Sequence, residues 1–415
     1  MKIVLHRAHQ IGGCITEIIA DSYKKIIVDL GSNLPNNNEI KDFSEEEIRN
    51  LTKDASAILY THYHGDHIGM AQFVPSEIPQ FIGKTAKKVM QIKASYLRWK
   101  AEDKKKLDGF FEYKIGKPMP IDCFEVTPFT VNHSAGDAYM LLIKVDGKTI
   151  LHTGDFRDHG YYGEKIYDII SKYINKTEID FLITESTMFS RENEHVKTEK
   201  ELADEAKCMI EHYKYCFTLT SSTDIDRIAT LCSAIPGEKL IVCDNYQMKI
   251  IKAFAHYPVY KKYLSHKKFE VYNKTDDVAD LFSRMKKSGF LMFVRKNDRN
   301  DGPIFVNECM TNLPKQQQLL IYSMWSGYLF KEGCVKQEYV DFRNQFLNTL
   351  YLHTSGHASI DCIEKVCKPI NPHHIIPIHG EKPQKMNCFI PEFKDKTILS
   401  DFNENDVEVK FNYHL

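Results

Sequence analysis

No CxxC pair occurs in this chain, although it holds 11 cysteines. Their number is odd and they are scattered: Cys14, Cys123, Cys208, Cys216, Cys232, Cys243, Cys309, Cys334, Cys362, Cys367 and Cys388. A disulfide framework and a thiolate zinc knuckle both need paired spacing, so neither is supported. Most of these side chains are expected to be buried small apolar groups in a reducing cytoplasm. No apolar run approaches the roughly 18 residues of a membrane span. The opening stretch, MKIVLHRAHQ, meets His6 and Arg7 at once and lacks the apolar core of an export signal. Charge of one sign is lacking too. Lys and Arg number 55 and Asp and Glu 56, for a net charge of −1. As a total, this predicts no strong attraction to nucleic acid or to an anionic membrane. Repeats and low-complexity tracts are absent. An apolar fraction of 43% and a charged fraction of 27% exclude disorder, collagen and coiled coil. A length of 415 residues leaves room for two or three domains with sizeable cores.

What is present reads as α/β. IGGCITEII and KKIIVDLG are dense in β-branched residues and separated by turn residues, as strands are. The stretch GSNLPNNNEIKDFSEEE is a loop leading into a helix with acids in its first turn. SAILYTHYH is a strand entering a His-rich turn. Between Lys84 and Lys100, the positions Ala86, Val89, Met90, Lys93 and Leu97 have helical spacing. Further strands are expected in DCFEVTPFTVNHS, MLLIKVDG, TILHTGDFR and FLITEST. After about Phe189 the texture changes. A helix is expected from Thr198 to Tyr215, with Leu202, Ala206, Met209, Ile210 and Tyr213 on one face. The strands CFTLTSS, KLIVCDN, KFEVYN, GFLMFVRK and LLIYSMW then alternate with helix-length segments. That alternation predicts a parallel sheet covered on both faces. The expected organisation is a first domain over 1–194, an inserted α/β domain over 195–345, and a return to the first domain over 346–415, where HHIIPIHG forms one more strand.

The strongest local signal is Thr61-His62-Tyr63-His64-Gly65-Asp66-His67. Four potential metal ligands follow a strand within six residues. Neutral imidazole and carboxylate are the donors that zinc and similar metals take. A tight loop lets His62 and His64 point one way while Asp66 and His67 reach a second metal. Later strand ends supply His133 in VNHSAGDA, Asp155 in HTGDFR and His379 in IPIHGE. A lone His after a strand is more often structural, but together these complete two sets of three with one shared carboxylate. The first set is His62, His64 and His133; the second is Asp66, His67 and His379; Asp155 bridges. Such a pair of metals holds a hydroxide as nucleophile.

These residues resemble the successive motifs of the metallo-β-lactamase superfamily, in order and in strand-end placement. The resemblance implies an αβ/βα sandwich with two metals at one edge. Asp29 in VDLG is implied to brace the histidine loop without ligating. The drug-hydrolysing lactamases usually carry Cys where Asp155 stands, so β-lactam hydrolysis is disfavoured. Glu185 in LITEST, His357 in LHTSGHAS and His379 in IPIHGE resemble motifs A, B and C of the β-CASP nucleases, whose hallmark is an α/β domain inserted between motifs A and B. RNA-acting members tend to carry His in motif C. The likeness is greatest to ribonuclease J-like enzymes, without the further C-terminal domain of ribonuclease J proper. Gly136 stands where Pro is common and Met188 where Tyr is frequent.

The function implied is a dinuclear metal-dependent ribonuclease, exo- or endonucleolytic, acting in RNA processing or decay. The metals are expected to be Zn2+, with Mn2+ as the alternative. Asp66, Glu185 and His357 form the implied catalytic set, His357 acting as general acid with Glu185 orienting it. FTLTSSTDIDRIATL reads strand, polar turn, helix, and a helix N-terminus attracts anions. Ser222 and Thr223 there, with His353, Ser355 and His357, are the expected phosphate contacts. The near-zero charge is unevenly spread: residues 84–117 hold 11 basic and 4 acidic residues, and residues 259–300 hold 11 and 5. Tyr96, Trp99, Phe110 and Phe111 accompany the first stretch and Tyr260, Tyr263, Phe269 and Tyr272 the second, so both are candidate RNA contacts. The partner expected is single-stranded RNA, with no membrane, a cytoplasmic location, and a homodimer as a compatible assembly. The alternatives are a single-stranded DNA nuclease of the same fold, a small-molecule thioesterase or esterase, and a non-catalytic RNA-processing partner.

Overall fold

Strands buried along most of their length form the first two sheets. The structure, a computed structural model, describes residues 1–34, 41–191, 194–264, 269–272, 278–295, 302–399 and 406–410, with the backbone alone for 302–304 and 406–410. The first sheet runs, in spatial order, Asp406–Lys410, Lys2–His6, Ile15–Ile19, Lys25–Val28, Ala55–Leu59, Gln80–Ile82, Phe111–Glu112. The second runs His374–Ile378, Phe181–Glu185, Lys148–His152, Ala138–Val145, Phe124–Val131, Met119–Ile121. Ile3, Leu5, Ile18, Ile26, Val28 and Leu59 of the first meet Val126, Leu141, Ile143, Ile150, Ile183 and Ile376 of the second in one buried cluster. Successive residues of a strand point to opposite faces, so Met140, Leu142, Leu151, Leu182 and Ile375 face the other way. There they pack with Ile166, Ile170, Ile363, Val366 and Ile370, which come from helices. Each such side chain contributes about 1.5–3 kcal/mol by leaving water. The result is an αβ/βα sandwich.

The chain divides into two compact units, one of residues 1–194 with 356–415, the other of residues 195–355. In the second unit all strand pairs are parallel, in the order Phe269–Tyr272, Leu240–Asp244, Phe290–Val294, Tyr215–Thr220, Gln318–Ser323, Thr349–Tyr351. The helix before this sheet begins at Glu199, where Thr198 and Glu201 form a reciprocal capping box. It stops at His212, short of the expected Tyr215, because Tyr213 is extended and Tyr215 opens the next strand. The return at 346 is also corrected. Thr349–Tyr351 pairs with Leu320–Tyr322, and the unit continues to Ser355. That strand is an edge strand with Thr349 and Leu350 half-buried and Tyr351 exposed, so it lacks the apolar run that marks its neighbours.

Candidate metal centre

Most of the expected residues of the first unit's site lie at or just beyond strand ends, with Asp66 and His67 in the short helix Gly65–Ile68. Asp29 comes directly after Lys25–Val28, His62 three residues after Leu59, His133 two after Val131, and Asp155 three after His152. Glu185 closes its strand, and the parallel pairing of Phe181–Glu185 with His374–Ile378 sets His379 beside it. Asp29 and His379 both hold left-handed backbone conformations, with φ of 62° and 54°. A residue other than glycine adopts that region at a cost, and such cost gathers at functional sites. Gly31 is required by close approach: a Cβ there would lie 1.7 Å from the Asp66 carbonyl oxygen.

The hydrogen bonds fix which imidazole nitrogen faces inward. Asp29 accepts the Thr61 N–H, the Thr61 hydroxyl and His67 Nδ1–H, each at 2.7 Å. With its proton given to Asp29, Thr61 Oγ1 accepts from His62 Nδ1 at 3.1 Å. The Nε2 atoms of His62 and His67 therefore face inward, and both are buried without a hydrogen bond. Thr187 Oγ1 donates to the His379 carbonyl at 2.8 Å, so it accepts from His379 Nδ1 at 2.9 Å and leaves Nε2 inward. His133 Nδ1 gives its proton to the Gly356 carbonyl at 2.6 Å, and its Nε2 lies 3.1 Å from His64 Nδ1. Two nitrogens bound to one tetrahedral zinc stand about 3.3 Å apart.

Donor atoms from His62, His64 and His133 lie within 4.8 Å of one another, and the same holds for His62, His67 and Asp155. One oxygen is central. Asp155 Oδ2 stands 3.2 Å from His67 Nε2, 3.7 Å from His379 Nε2 and 3.9 Å from His133 Nε2. Asp66 Oδ2 stands 3.4 Å from His379 Nε2. Burial opposes ionisation of Asp155, but the charges of His379, His67 and His357 hold its carboxyl well below the usual range. Burial, then the neighbouring imidazoles, keep His62 neutral. Deep lone pairs and an ionised carboxylate form a donor set suited to divalent metal.

Beside it stands a dyad. Glu185 Oε1 accepts the N–H groups of Phe156 and Ala358 at 2.9 and 3.2 Å, and Oε2 accepts His357 Nδ1–H at 2.9 Å. His357 is 18% exposed against 0% for Glu185, so the imidazole is the member that reaches solvent. Burial lowers its affinity for a proton, but the Glu185 and Asp155 carboxylates outweigh this and raise its pKa.

The other expected residues, Ser222, Thr223, His353 and Ser355, belong to the second unit. The helix after the Thr220–Thr223 turn is capped by Asp224, which accepts the Arg227 N–H at 3.2 Å. Gln247 Nε2 donates to the Ser222 carbonyl at 3.0 Å, and the Ser221 and Thr223 hydroxyls lie 3.3 Å apart. His353 and Ser355 follow the edge strand, Ser355 buried. The basic stretches are corrected in part. Lys87 and Lys106 give their ammonium protons to backbone carbonyls. Tyr260 and Tyr272 are core side chains, the first bonded to Asp226 at 2.6 Å. Residues 265–268, 273–277 and 296–300 of the second stretch lie outside the described residues.

Sequence reasoning missed three contributors. Thr61 and Thr187 set histidine tautomers, and their only sequence signal is adjacency to His62 and Glu185. By sequence alone Cys14 belongs with the buried apolar thiols. Its donor atom instead clusters with those of His67 and His379 within 4.8 Å.

Residues 38–208 match the family described as Beta-lactamase superfamily domain, and residues 349–387 match the Zn-dependent metallo-hydrolase RNA specificity domain. A protein named as a probable RNase from Methanocaldococcus jannaschii is 22% identical over 92% of this chain and 94% of its own length. Ribonuclease J of Mycobacterium tuberculosis is 30% identical over 32% of this chain and 24% of its own length. Ribonuclease J of Helicobacter pylori is 22% identical, and the chain spans 60% of it. A crystal structure of a protein of unknown function from Enterococcus faecalis aligns over 98% of this chain and 100% of its own, with a TM-score of 0.73 and 17% identity, a likeness of fold. No helix among the described residues is long and apolar enough to cross a membrane.

Proposed function

Because the chain belongs to the metallo-β-lactamase superfamily, in its β-CASP, ribonuclease J-like branch, we propose that it is a metal-dependent hydrolase of RNA phosphodiester bonds. The observation that carries this reading is Asp155 Oδ2, which lies within 4 Å of inward nitrogens from both histidine sets and 3.6 Å from His357. His62, His64 and His133 would hold one metal and Asp66, His67 and His379 the other, with Asp155 between. Nitrogen and carboxylate donors of this kind suit zinc and also accept manganese. Metal bound there supplies Lewis acidity toward a phosphate oxygen and lowers the pKa of water.

The chain's own groups do the rest. Asp29 fixes His67 so that Nε2 faces the centre. His357 delivers a proton to the departing 3′-oxygen, and Glu185 holds its ring in the tautomer that can do so. Buried walls around His62, His67 and His379 keep bulk water from competing for the phosphate. In the second unit, Ser222, Thr223, His353 and Ser355 supply hydroxyl and imidazole contacts to the phosphate backbone.

The test is a time course on RNAs bearing a 5′-monophosphate, triphosphate or hydroxyl, beside single-stranded DNA and a thioester, with zinc or manganese supplied. RNA cleavage is expected, and mononucleotide release from one end would mark an exonuclease. An Asp66→Ala, His67→Ala protein should be inert. Intact RNA with either metal, or equal activity in that variant, sinks the proposal.

A further inference from the structure

Cys14 closes the loop between the strands Lys2–His6 and Ile15–Ile19 and is 5% exposed. Its backbone is held from both sides. Its N–H donates to the Asp66 carbonyl at 3.2 Å, and its carbonyl accepts the Gly31 N–H at 3.1 Å. A Cβ on Gly31 would lie 3.0 Å from the Cys14 nitrogen as well as inside the Asp66 carbonyl. The backbones of Cys14, Gly31 and Asp66 are thus packed directly against one another. Its Sγ and the donor atoms of His67 and His379 lie within 4.8 Å of one another.

A cysteine in this position could be an inert core thiol, were both neighbouring imidazoles satisfied. His67 is not. His67 Nδ1 is committed to Asp29, so Nε2 is its free donor atom, 2% exposed and without a hydrogen bond. It stands 3.2 Å from Asp155 Oδ2 without the alignment of one. His379 has Nδ1 committed to Thr187, and its Nε2 accepts the Gly12 N–H at 3.2 Å and lies 3.4 Å from Asp66 Oδ2. A sulfur and two imidazole nitrogens therefore converge within 4.8 Å, a donor mixture that zinc takes.

We propose that Cys14 is a sulfur ligand of the metal held by His67 and His379. This rests on the metal-site reading above, not on the identity of the substrate. Thiolate is a soft donor that favours zinc, while manganese prefers oxygen. The centre would then be chemically unequal: a nitrogen-rich position at His62, His64 and His133, and a sulfur-containing, zinc-selective position beside it. On metal binding the thiol proton leaves for solvent and the sulfur lone pair forms the bond.

The test is spectroscopic. The metal-free full chain is loaded with cobalt(II), bound metal is counted, and absorption is recorded for wild type, Cys14→Ser and Cys14→Ala. A thiolate-to-cobalt charge-transfer band in the near ultraviolet is expected in wild type and lost in both variants, while the visible ligand-field bands persist. Zinc-over-manganese preference should fall by about tenfold or more in the variants, at least the scale on which losing an outer hydrogen-bond partner weakens metal binding. If the wild type binds cobalt without the near-ultraviolet band, or if the band survives at Cys14→Ser, the sulfur ligand is refuted while the metal centre stands. If the wild type binds no metal, both readings fall. The wild-type spectrum alone decides the main point, so variants that misfold do not rescue the idea.

Discussion

Replacing Glu185 by Gln isolates the proposed acid from the proposed metal site. Glu185 Oε1 is occupied by two backbone donors, from Phe156 and Ala358, and only Oε2 serves His357. A glutamine that keeps its oxygen on those two donors must turn its NH2 toward His357 Nδ1. Two donors would then face each other, so the imidazole has to move its proton to Nε2 and accept at Nδ1. The charge-assisted bond that favours the imidazolium is lost. Such bonds contribute about 1.5–3 kcal/mol, so losing this one lowers the proton affinity of His357. General acid catalysis is worth about 10²–10⁴ in rate. The expected result on RNA is a fall in kcat of about 10²–10³ with KM little changed and metal content unchanged. The decisive arm is a nitrophenyl phosphodiester, whose leaving group departs without a proton. There the same variant should lose about tenfold or less, since only orientation is disturbed. Equal losses on the two substrates would refute the acid role and recast Glu185 as a support for the Phe156 and Ala358 backbone. A variant as active as wild type on RNA would remove the dyad from the mechanism altogether.

Three further outcomes follow from individual contacts. Asn at Asp29 loses the charge that receives His67 Nδ1 at 2.7 Å, and metal affinity measured against a competing chelator should drop about 10–100-fold; an unchanged affinity would refute the bracing role. Asp158 is held at about 2, below its ordinary 3.8; burial works against this, and hydrogen bonds, among them the Tyr167 hydroxyl at 2.7 Å, outweigh it. Because the folded pKa is the lower one, Asp158 contributes about 2 kcal/mol above pH 4 that vanishes as pH falls through 2. The stability gap between wild type and Asp158→Asn in urea unfolding should shrink over that window, and a gap constant with pH would contradict it. In the second unit, the Arg227 fork lies on Glu199 at 3.0 and 3.1 Å, both residues 1% exposed. Glu199→Ala strands that guanidinium and should cost about 3–5 kcal/mol in unfolding of this unit, whereas a cost below 1 would mean the pair is compensated.

What could be read from the sequence was whatever depends on short spacing. His62, His64, Asp66 and His67 announce themselves because four donors share one short segment, and continuous apolar runs mark the strands of both units. His133, Asp155 and His379 are legible only as a set, since each is a single residue at a strand end and it is the sheet order that converges them. The features that were not legible are those decided by which atoms of distant segments touch. Lys87 and Lys106 look like charge for an RNA backbone until their ammonium groups are seen on carbonyls, and Tyr260 looks like a stacking surface until it is found bonded to Asp226. Thr349–Tyr351 is hidden because an edge strand need bury little. Cys14 is the sharpest case. Nothing in IGGCITEII separates it from a core thiol. Its chemistry follows from the Gly31 contact that brings it against Asp66, and from tautomers fixed by Asp29 and Thr187. A donor's identity is local information, but its availability depends on where every neighbouring proton has gone. That accounting is possible only once the strand ends have been brought together.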